Sequence, residues 1–564
     1  MGYLEKVNVW KNNKNLNNEL RQELESMTDD ELKEAFTNDL QFGTAGLRGI
    51  LGAGTNRMNI YIVSKATLGF GRYLKNLSSD ALKRGVAIAH DNRHKTVEFS
   101  RMAAEVLSTL GFKVYLFESL RPTPELSFAV RHFGCIGGIM ITASHNPKEY
   151  NGYKIYDETG CQLVPDDAAK VIDEISKIDS YFDVDHSKNH ELIEYIGKEV
   201  DNIYIDKCKE IVLRPEEKKS LKFVYTPLHG TGQVFAPRVL QEVGYDVYPL
   251  ACQMTNDPDF SGVKSSNPES PLAYDEAIEY AKIIGAEVVL CTDPDADRLG
   301  IAVRHNGEYK LFTGNQSGTI ILDYILRTRK ELNTLPKNGY VFTTNVSSTL
   351  PVTIAKAYGM NVEITLTGFK FIGEKARMLE NTKKGEYVFG FEESYGCLVK
   401  DFVRDKDSIQ AILMLCEAAE YYNNKGMDLV DALNAIYDEY GYYYETINQI
   451  ELASLDGLAK IQRIMEFFRT TDIAIKGFEI EAKDDVKLLV HTDYKTLKKT
   501  KINLPSSNVI KYYLNDDNWF VLRPSGTEPK LKVYYGVKGS NDKDATAKLK
   551  DLQSKVLEIV NLIK

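Results

Sequence analysis

The stretch Gly138-Ile139-Met140-Ile141-Thr142-Ala143-Ser144-His145-Asn146-Pro147 joins a short apolar run to a polar loop. Similar apolar runs occur at 85–89 and 113–117, and the amphipathic, helix-length segment 96–110 lies between those two. This alternation predicts strand–helix–strand units with a parallel sheet, because parallel strands need a crossover connection. Ser144 would then stand at the carboxyl end of a strand, where open α/β sheets place their ligands. A hydroxyl that only forms a turn before Pro147 is the simpler alternative.

The same rhythm restarts at 221–225 and again at 340–344, which indicates three α/β units in succession. Residues 436–564 differ, since they predict strands around 442–452, 486–491, 509–514, 519–522 and 531–537 before a closing helix. The apolar stripe of that helix contains Leu549, Leu552, Val556, Ile559, Val560 and Ile563. We therefore predict an α/β protein of three successive α/β domains with mixed sheets, followed by a smaller α+β C-terminal domain, all four around a central cleft. The predicted domains are 1–205, 206–311, 312–435 and 436–564.

The composition excludes several classes of protein. The chain has 564 residues, of which 43% are hydrophobic and 27% charged, and its formal net charge is −10. Such a chain can bury a core in each domain, and it lacks the basic field of a nucleic-acid-binding protein. Seven scattered cysteines without a C-x-x-C pair favour neither a disulfide framework nor a zinc site. Because no apolar leader or membrane-length apolar run is present, we expect a cytoplasmic protein with no membrane partner.

The segment Asp293-Pro294-Asp295-Ala296-Asp297-Arg298 directly follows another apolar run. Three carboxylates at alternate positions of a tight turn can converge on one hard cation, and Mg²⁺ commonly takes few protein carboxylates. An EF-hand is set aside, because Arg298 and Arg304 stand where its glycine and its bidentate glutamate belong. A solvated acidic turn remains the alternative, since unpaired carboxylates repel one another.

Two further loops contain groups suited to sugars and phosphates. Gly390-Phe391-Glu392-Glu393-Ser394-Tyr395-Gly396 offers carboxylates that can accept hydrogen bonds from sugar hydroxyls. Arg523-Pro524-Ser525-Gly526-Thr527-Glu528-Pro529-Lys530 offers a guanidinium, two hydroxyls and a glycine-freed backbone for a phosphate. Ordinary turns are the alternative for both loops. Further basic candidates are Arg48, His90, Arg93, His94, Lys154, Arg404 and Lys406.

In this order, the four loops resemble the motifs of the α-D-phosphohexomutase superfamily, and within it the phosphoglucomutase/phosphopentomutase branch. The resemblance implies that Ser144 is a phosphoserine, and that Asp293, Asp295 and Asp297, with an oxygen of the Ser144 phosphate, hold one Mg²⁺ per chain. His145, Lys154 and Arg48 would carry protons, while Arg48 and Lys406 would stabilise the transferring oxygens. The substrate-binding residues that the resemblance implies are Thr367, Gly368, Lys370, Glu392, Ser394, Arg523, Ser525, Gly526, Thr527 and Arg298.

The resemblance also implies an isomerase-class intramolecular phosphotransferase that acts on small sugar phosphates. We expect interconversion of glucose 1-phosphate and glucose 6-phosphate, with glucose 1,6-bisphosphate as the intermediate and activator. The alternatives are a phosphopentomutase, a phosphomannomutase, or a phosphoprotein that binds sugar phosphates without turnover. A haloacid-dehalogenase-type phosphatase is a further rival, in which an aspartate and not Ser144 would be the nucleophile. The expected assembly is a monomer or a weak homodimer, with no nucleic acid bound.

Overall fold

The structure is a computed structural model that describes residues 2–43, 46–452, 457–525 and 530–563. The chain divides into two compact units, and each is described by itself. The first unit comprises 1–317 and 369–428, and the second comprises 318–368 and 429–564. Within the described residues, none of the helices is long and apolar enough to cross a membrane.

The chain begins with three short helices, α1 (Tyr3–Asn12), α2 (Asn18–Ser26) and α3 (Asp29–Thr37). Side chains fix where two of them start, because Asn17 caps the first turn of α2 and Thr28 forms a capping box with Glu31 in α3. Buried Trp10 packs edge-on against Phe36, so these helices share one apolar cluster.

The first sheet contains the strand that leads into the Ser144 loop. Its strands are β1 (Leu47–Ile50), β2 (Val86–His90), β3 (Val114–Phe117), β4 (Gly137–Ile141), β5 (Tyr150–Asp157) and β6 (Ile193–Ile196). Their order is β1-β5-β4-β2-β3-β6, with parallel pairing among β4, β2, β3 and β6 and antiparallel pairing of β5 with β4 and β1. The connecting helices are α4 (Ile60–Lys75), α5 (Ala81–Arg84), α6 (Thr96–Thr109), α7 (Thr123–Phe133), α8 (Pro165–Ser176) and α9 (Lys198–Lys209). Strand β2 is buried along its whole length, as expected for a strand covered on both faces.

A second mixed sheet follows in the same unit. Its strands are β7 (Lys222–Thr226), β8 (Asp246–Pro249), β9 (Val288–Thr292), β10 (Leu299–His305) and β11 (Glu308–Leu311), and its helices are α10 (Ala236–Val243) and α11 (Asp275–Ile284). The strand order is β11-β10-β9-β7-β8, and β9, β7 and β8 run parallel. The turn between β9 and β10, residues 293–298, contains Asp293, Asp295 and Asp297 and is called the aspartate loop. It lies at the carboxyl end of β9.

The chain continues through α12 (Gly314–Glu331), β12 (Gly339–Thr344), α13 (Leu350–Ala357) and β13 (Asn361–Thr365), and β12 pairs in parallel with β13. The first unit then resumes with α14 (Phe369–Thr382), β14 (Glu386–Phe391), β15 (Cys397–Leu398) and α15 (Ser408–Asn423). Strands β14 and β15 pair antiparallel around the Glu392–Ser394 loop. Short 3₁₀ turns lie at His190–Leu192, Thr231–Val234, Ala251–Gln253, Pro271–Ala273 and Asn515–Asp517.

The C-terminal part of the second unit is built on an antiparallel sheet. Its helices are α16 (Leu429–Tyr440), α17 (Gly457–Thr470) and α18 (Asp542–Leu562). Its strands are β16 (Tyr442–Glu451), β17 (Ile480–Asp485), β18 (Val490–Asp493), β19 (Lys499–Lys501), β20 (Ile510–Leu514), β21 (Trp519–Pro524) and β22 (Lys530–Gly539). The order is β16-β22-β21-β20-β17-β18-β19. The predicted stripe of the closing helix packs on this sheet, with Leu552, Val556 and Val560 buried in the core.

The predicted strand at 486–491 is wrong for residues 486–489, because β18 begins only at Val490. Residues 486–489 form a turn between β17 and β18, and Leu489 adopts a left-handed φ of 57°. The Asp485 carboxylate accepts hydrogen bonds from the backbone N–H groups of Lys487 and Leu488, at 3.1 and 3.2 Å. This local closure outweighs the β propensity of the apolar run.

Candidate active site

Ser144 lies in a strained turn directly after β4. Its φ of 53° is left-handed, which is uncommon for a residue with a side chain, and the residue is buried. Its Oγ donates a hydrogen bond to Asp293 Oδ2 at 2.9 Å and lies 3.2 Å from His145 Nδ1. Thr142 Oγ1 accepts the Ser144 N–H at 2.8 Å. The turn therefore directs the serine hydroxyl at the aspartate loop.

The three aspartates are buried together at the end of β9. One side-chain oxygen from each of Asp293, Asp295 and Asp297 lies within 4.8 Å of the others. Asp293 Oδ1 also accepts the backbone N–H groups of Asp297 and Arg298, at 3.1 and 3.0 Å, and this closes the loop. Because none of the three carboxylates is more than 1% exposed, the alternative of a solvated acidic turn is wrong.

Two lysines from distant parts of the chain neutralise this cluster. Lys154 Nζ lies 2.8 Å from Asp295 Oδ2 and 3.4 Å from Asp297 Oδ2. Lys406 Nζ lies 3.0 Å from Asp297 Oδ2. Two of the three buried carboxylates, those of Asp295 and Asp297, are thus paired with ammonium groups, as buried charges require.

The pKa values of the three aspartates shift in opposite directions: that of Asp293 is raised, and those of Asp295 and Asp297 are lowered. Burial, together with the charges of Asp297 and Asp295, raises the pKa of Asp293 well above its usual range. Burial also opposes the ionisation of Asp295, but the ammonium groups of Lys154 and Lys406 outweigh it and lower the pKa. The pKa of Asp297 is likewise lowered, because the nearby cations outweigh both burial and the charge of Asp295.

His145 stays neutral in this environment. Burial, with the positive charges of Arg298 and Arg48, holds the pKa of its imidazole far below the ordinary value. The neutral imidazole, with Nδ1 3.2 Å from Ser144 Oγ, can share a hydrogen bond with that hydroxyl, but its lowered pKa disfavours its taking up a proton.

The aspartate loop fits a divalent cation. Asp295 Oδ1 and Asp297 Oδ1 are buried without a hydrogen-bond partner. Buried carboxylate oxygens without partners are unfavourable, and a bound cation would satisfy them. Because the donor set is all oxygen and small in number, it suits Mg²⁺.

Lys406 lies between the predicted sugar-binding loop, residues 390–396, and the aspartate loop. The Glu392 N–H donates to Gly396 O at 2.9 Å, which closes the loop after β14. Glu392 is buried, and its Oε1 lies 3.8 Å from Lys406 Nζ. Burial raises the pKa of Glu392 to about 7, with the Lys406 charge opposing and the Glu393 charge adding to that rise. Ser394 lies half-buried in the same bend.

Two of the predicted arginines of the first unit, Arg48 and Arg298, lie beside these loops. Arg48 Nη1 donates to Asn146 Oδ1 at 2.9 Å, and the Arg48 residue is exposed. Arg298 Nη1 lies 2.6 Å from Glu269 Oε1, while its Nε lies 3.9 Å from Asp293 Oδ2. The structure therefore brings together Ser144, His145, Arg48, Lys154, Asp293, Asp295, Asp297, Arg298, Glu392 and Lys406.

The other predicted substrate-binding residues are divided between the two units. Lys370 is buried in α14 of the first unit, and its backbone carbonyl accepts a weak hydrogen bond from the Cys161 thiol at 3.4 Å. Thr367 and Gly368 belong to the second unit, where Gly368 has a φ of 115° that favours glycine. Arg523 and Ser525 lie at the end of β21, in the connection to β22. Gly526 and Thr527 lie outside the described residues, and substrate binding by all seven stays a prediction.

Sequence reasoning missed Thr123 and Glu269. Thr123 Oγ1 donates to Asp295 Oδ2 at 2.8 Å, and its N–H donates to Asp295 O at 2.9 Å. Thr123 stands between Pro122 and Pro124 at the first turn of α7, a local signal for a helix start but not for the aspartate loop it contacts.

Comparisons with known proteins cover most of the chain. Models for the phosphoglucomutase/phosphomannomutase alpha/beta/alpha domains I, II and III match residues 39–182, 202–307 and 313–440. The model for the C-terminal domain of that family matches residues 479–552.

Individual relatives agree. A phosphoglucomutase from Staphylococcus epidermidis is 39% identical over 516 residues, which cover 90% of this chain and 92% of the relative. One from Staphylococcus aureus is 37% identical over 532 residues, covering 93% of this chain and 94% of the relative. The crystal structure of a putative phosphomannomutase from Thermus thermophilus shares the fold, with a TM-score of 0.67 at 22% identity over 93% of this chain and 99% of that one.

The fold class and the resemblance inferred from the four loops are thereby confirmed. Domain models and relatives agree over nearly the whole length, and the loops that the motifs identified in the first unit meet at one buried carboxylate cluster. The chain belongs to the phosphoglucomutase/phosphomannomutase family of the α-D-phosphohexomutase superfamily.

Proposed function

We propose that this enzyme is a phosphoglucomutase that interconverts glucose 1-phosphate and glucose 6-phosphate through glucose 1,6-bisphosphate. The observation that supports this most is the hydrogen bond of 2.9 Å from Ser144 Oγ to Asp293 Oδ2, which places a nucleophilic hydroxyl on a buried carboxylate cluster. The Staphylococcus relatives carry the same name, and they match the chain over nine-tenths of its length.

The aspartates would hold Mg²⁺ together with an oxygen of the Ser144 phosphate. Bound there, Mg²⁺ neutralises negative charge on the phosphoryl oxygens. Lys406, Lys154 and Arg48 supply further positive charge around the same oxygens, because they lie beside the aspartate loop or beside the serine loop, residues 142–149.

The chain's own groups then transfer the phosphoryl group. The free hydroxyl oxygen of the sugar monophosphate forms a bond to phosphorus as the bond from phosphorus to Ser144 Oγ breaks. The sugar hydroxyl loses its proton to a basic group of the site, and Ser144 Oγ takes up a proton as the phosphoryl group leaves, so that the proton count is unchanged; His145 Nδ1, at 3.2 Å, can hold a hydrogen bond to that oxygen. The bisphosphate then turns over, and its other phosphoryl group returns to Ser144 by the reverse steps.

The turnover requires two orientations of one sugar. Glu392 and Ser394 would accept and donate hydrogen bonds to the sugar hydroxyls, with Thr367, Gly368 and Lys370 selecting the face presented. Arg523, Ser525, Gly526 and Thr527 would bind the phosphate that is not transferred. Because that phosphate sits at either end of the sugar, its binding loop must tolerate both orientations.

A coupled rate assay with Mg²⁺ and a trace of glucose 1,6-bisphosphate tests the proposal. We expect kcat/KM for glucose 1-phosphate to exceed that for mannose 1-phosphate and ribose 1-phosphate by about 10-fold or more, equivalent to about 1.4 kcal/mol. Preference for the pentose would make the enzyme a phosphopentomutase. Turnover of none of the three would refute the mutase mechanism.

The Ser144→Ala variant separates a mutase from a phosphatase that uses an aspartate nucleophile. We expect near-total loss of mutase activity and loss of the phosphate detected on the parent by intact-mass spectrometry. Phosphatase activity that survives in Ser144→Ala but not in Asp293→Asn would favour the phosphatase.

A further inference from the structure

Arg93, in the loop after β2, donates hydrogen bonds to the backbone of the serine loop. Its Nη1 donates to Pro147 O at 2.8 Å and to Tyr150 O at 3.2 Å. Its Nη2 donates to Asn146 O at 2.5 Å and to Ser144 O. One guanidinium thus binds three carbonyls of the loop that contains the nucleophile and the carbonyl of Tyr150 at the start of β5.

The remaining nitrogen of Arg93 forms a buried ion pair but no hydrogen bond. Its Nε lies 3.2 Å from Asp91 Oδ2, and both side chains are fully buried. A guanidinium has five N–H donors, and here four bind backbone carbonyls while the fifth faces a carboxylate. Because the side chain is fully buried and its Nε lies against Asp91, Arg93 has no exposed donor for a substrate phosphate, although its charge and position in the sequence made it a phosphate-binding candidate.

A segment of the second α/β domain holds the same loop from another direction. Ser266 Oγ donates to His145 O at 3.0 Å and to Asn146 O at 3.3 Å. The ring of Phe260 lies 5.3 Å from the Arg93 guanidinium in a cation–π contact. Both residues belong to the stretch 257–269, which ends at Glu269, the ion-pair partner of Arg298. This stretch, the clamp segment, contacts both the serine loop and the arginine that follows the aspartates.

We infer that Arg93 and Ser266 are positioning residues for phosphoryl transfer at Ser144. A non-glycine residue with a left-handed φ keeps that conformation only when its surroundings hold it, and the loop carbonyls are what Arg93 and Ser266 hold. A displacement of the nucleophile by about 1 Å lowers a rate by about 100-fold. The inference rests on the proposed function, because it assigns these residues to the step in which Ser144 gains or loses a phosphoryl group.

The first test is Arg93→Lys, which keeps the charge beside Asp91 but replaces the planar fork with one nitrogen. Dephosphorylated enzyme is mixed with Mg²⁺ and radiolabelled glucose 1,6-bisphosphate, and the label on Ser144 is followed with time. We expect the labelling rate and kcat to fall by about 100-fold, with KM for glucose 1-phosphate changed by less than about twofold. The final amount of label should match the parent, because positioning changes the rate and misfolding would lower the endpoint.

The second test is Ser266→Ala, which removes one hydroxyl and is expected to fold even if Arg93→Lys does not. We expect kcat and the labelling rate to fall roughly fivefold, as for the loss of one neutral hydrogen bond. Ser265→Ala is the matched control, because the Ser265 hydroxyl contacts Asn267 within the clamp segment and not the serine loop. That control should retain the parent rates.

The outcomes separate this inference from the proposed function. If the parent neither turns over glucose 1-phosphate nor labels Ser144, the proposed function fails and the inference fails with it. If the parent does both while Ser266→Ala and any folded Arg93→Lys keep its rates, only the inference is overturned. A raised KM with unchanged kcat in Arg93→Lys would instead show that Arg93 binds substrate, and this would also overturn it.

Discussion

Lys154 illustrates how single charges shape this site. It is buried, and its ammonium group lies within 3.4 Å of two aspartate oxygens. Removing one partner of a buried ion pair leaves a charge without compensation, which destabilises a protein by about 3–5 kcal/mol. The same lysine was predicted as a basic candidate and a proton carrier, and its ion pairs give it a second role in compensating the buried carboxylates.

We expect Lys154→Met to be less stable than the parent by about 3–5 kcal/mol at pH 8 in the presence of a chelator. Mg²⁺ should restore more stability to the variant than to the parent, since the ion replaces the lost positive charge. Urea unfolding with and without Mg²⁺ measures both effects. Lys170→Met is the control, because Lys170 is 63% exposed and its pair with Asp167 is worth less than about 1 kcal/mol. Equal losses in the two variants would contradict this account.

Gly396 gives Lys406 room to reach the aspartates. A Cβ at Gly396 would lie 2.0 Å from Lys406 Cδ and 2.8 Å from its Cγ, so that any side chain there displaces the lysine. Lys406 Nζ lies between two carboxylates, 3.8 Å from Glu392 Oε1 and 3.0 Å from Asp297 Oδ2. The glycine is thus needed for the position of a neighbouring side chain.

We expect Gly396→Ala to lower kcat by about 100-fold, as for a comparable misplacement of a catalytic group. Steady-state kinetics on Gly396→Ala, Lys406→Met and the double variant measure the coupling. The double variant should be no worse than Lys406→Met, because both changes remove the same ammonium group from Asp297. Additive losses would show that Gly396 acts by another route.

At the scale of elements, the start of α15 locks Lys406 in place. Asp405 Oδ2 accepts a hydrogen bond from Tyr156 Oη at 2.9 Å, and Asp407 accepts one from Tyr204 Oη at 2.9 Å. Asp407 also caps α15 by accepting the N–H groups of Ile409 and Gln410, at 2.9 and 3.1 Å. Two buried tyrosines and a helix cap therefore hold the residues on either side of the lysine.

Burial raises the pKa of Asp407 to about 6, although the hydrogen bonds from Gln410 and Tyr204 oppose the rise. The native state therefore binds a proton more tightly than the unfolded state does. This contribution to stability is present at low pH and is lost as the pH rises through about 6.

We expect Tyr204→Phe to lower the free energy of unfolding by about 1.5–3 kcal/mol at pH 8, because a charged carboxylate loses a donor. The loss should be smaller at pH 5, where Asp407 is protonated. Urea titrations at the two pH values measure the difference. Tyr195→Phe, at a residue 64% exposed, should change stability by less than about 0.5 kcal/mol. A deficit for Tyr204→Phe that does not depend on pH would show that its hydroxyl does not stabilise the charged form of Asp407.

At the scale of the whole molecule, the carboxylate cluster lies entirely within the first unit. We expect Mg²⁺ to lower deuterium uptake in peptides covering 142–150 and 288–300, because a ligand that binds the native state suppresses local opening around its site. Peptides covering 480–493 and 510–522, in the second unit, should not change. Hydrogen–deuterium exchange with mass spectrometry measures both sets.

Asp295→Asn should abolish the protection by Mg²⁺ while leaving the exchange of the C-terminal sheet as in the parent. Protection of equal size in the C-terminal peptides, or protection that survives in Asp295→Asn, would place the Mg²⁺ effect elsewhere.

The order of elements and the chemistry of the loops follow from local sequence. The strands near 86–90, 114–117 and 137–141 lie within one residue of their predicted positions, because short apolar runs between amphipathic segments have few other ways to be buried. The stripe of α18 was predictable for the same reason. The polar loops after β4, β9, β14 and β21 were identified by the residue types that phosphate, metal and sugar chemistry needs.

What only the tertiary structure decided is which charges meet. Lys154 and Asp295 are 141 residues apart in the chain, and no local pattern relates them. The sequence indicated Arg93 as a phosphate-binding candidate, whereas the structure shows that it binds backbone carbonyls. Its four carbonyl partners lie more than 50 residues away in the chain, so no local pattern relates them to Arg93. Local periodicity determines which face of an element is buried, whereas the partner of a buried charge depends on the packing of elements distant in sequence.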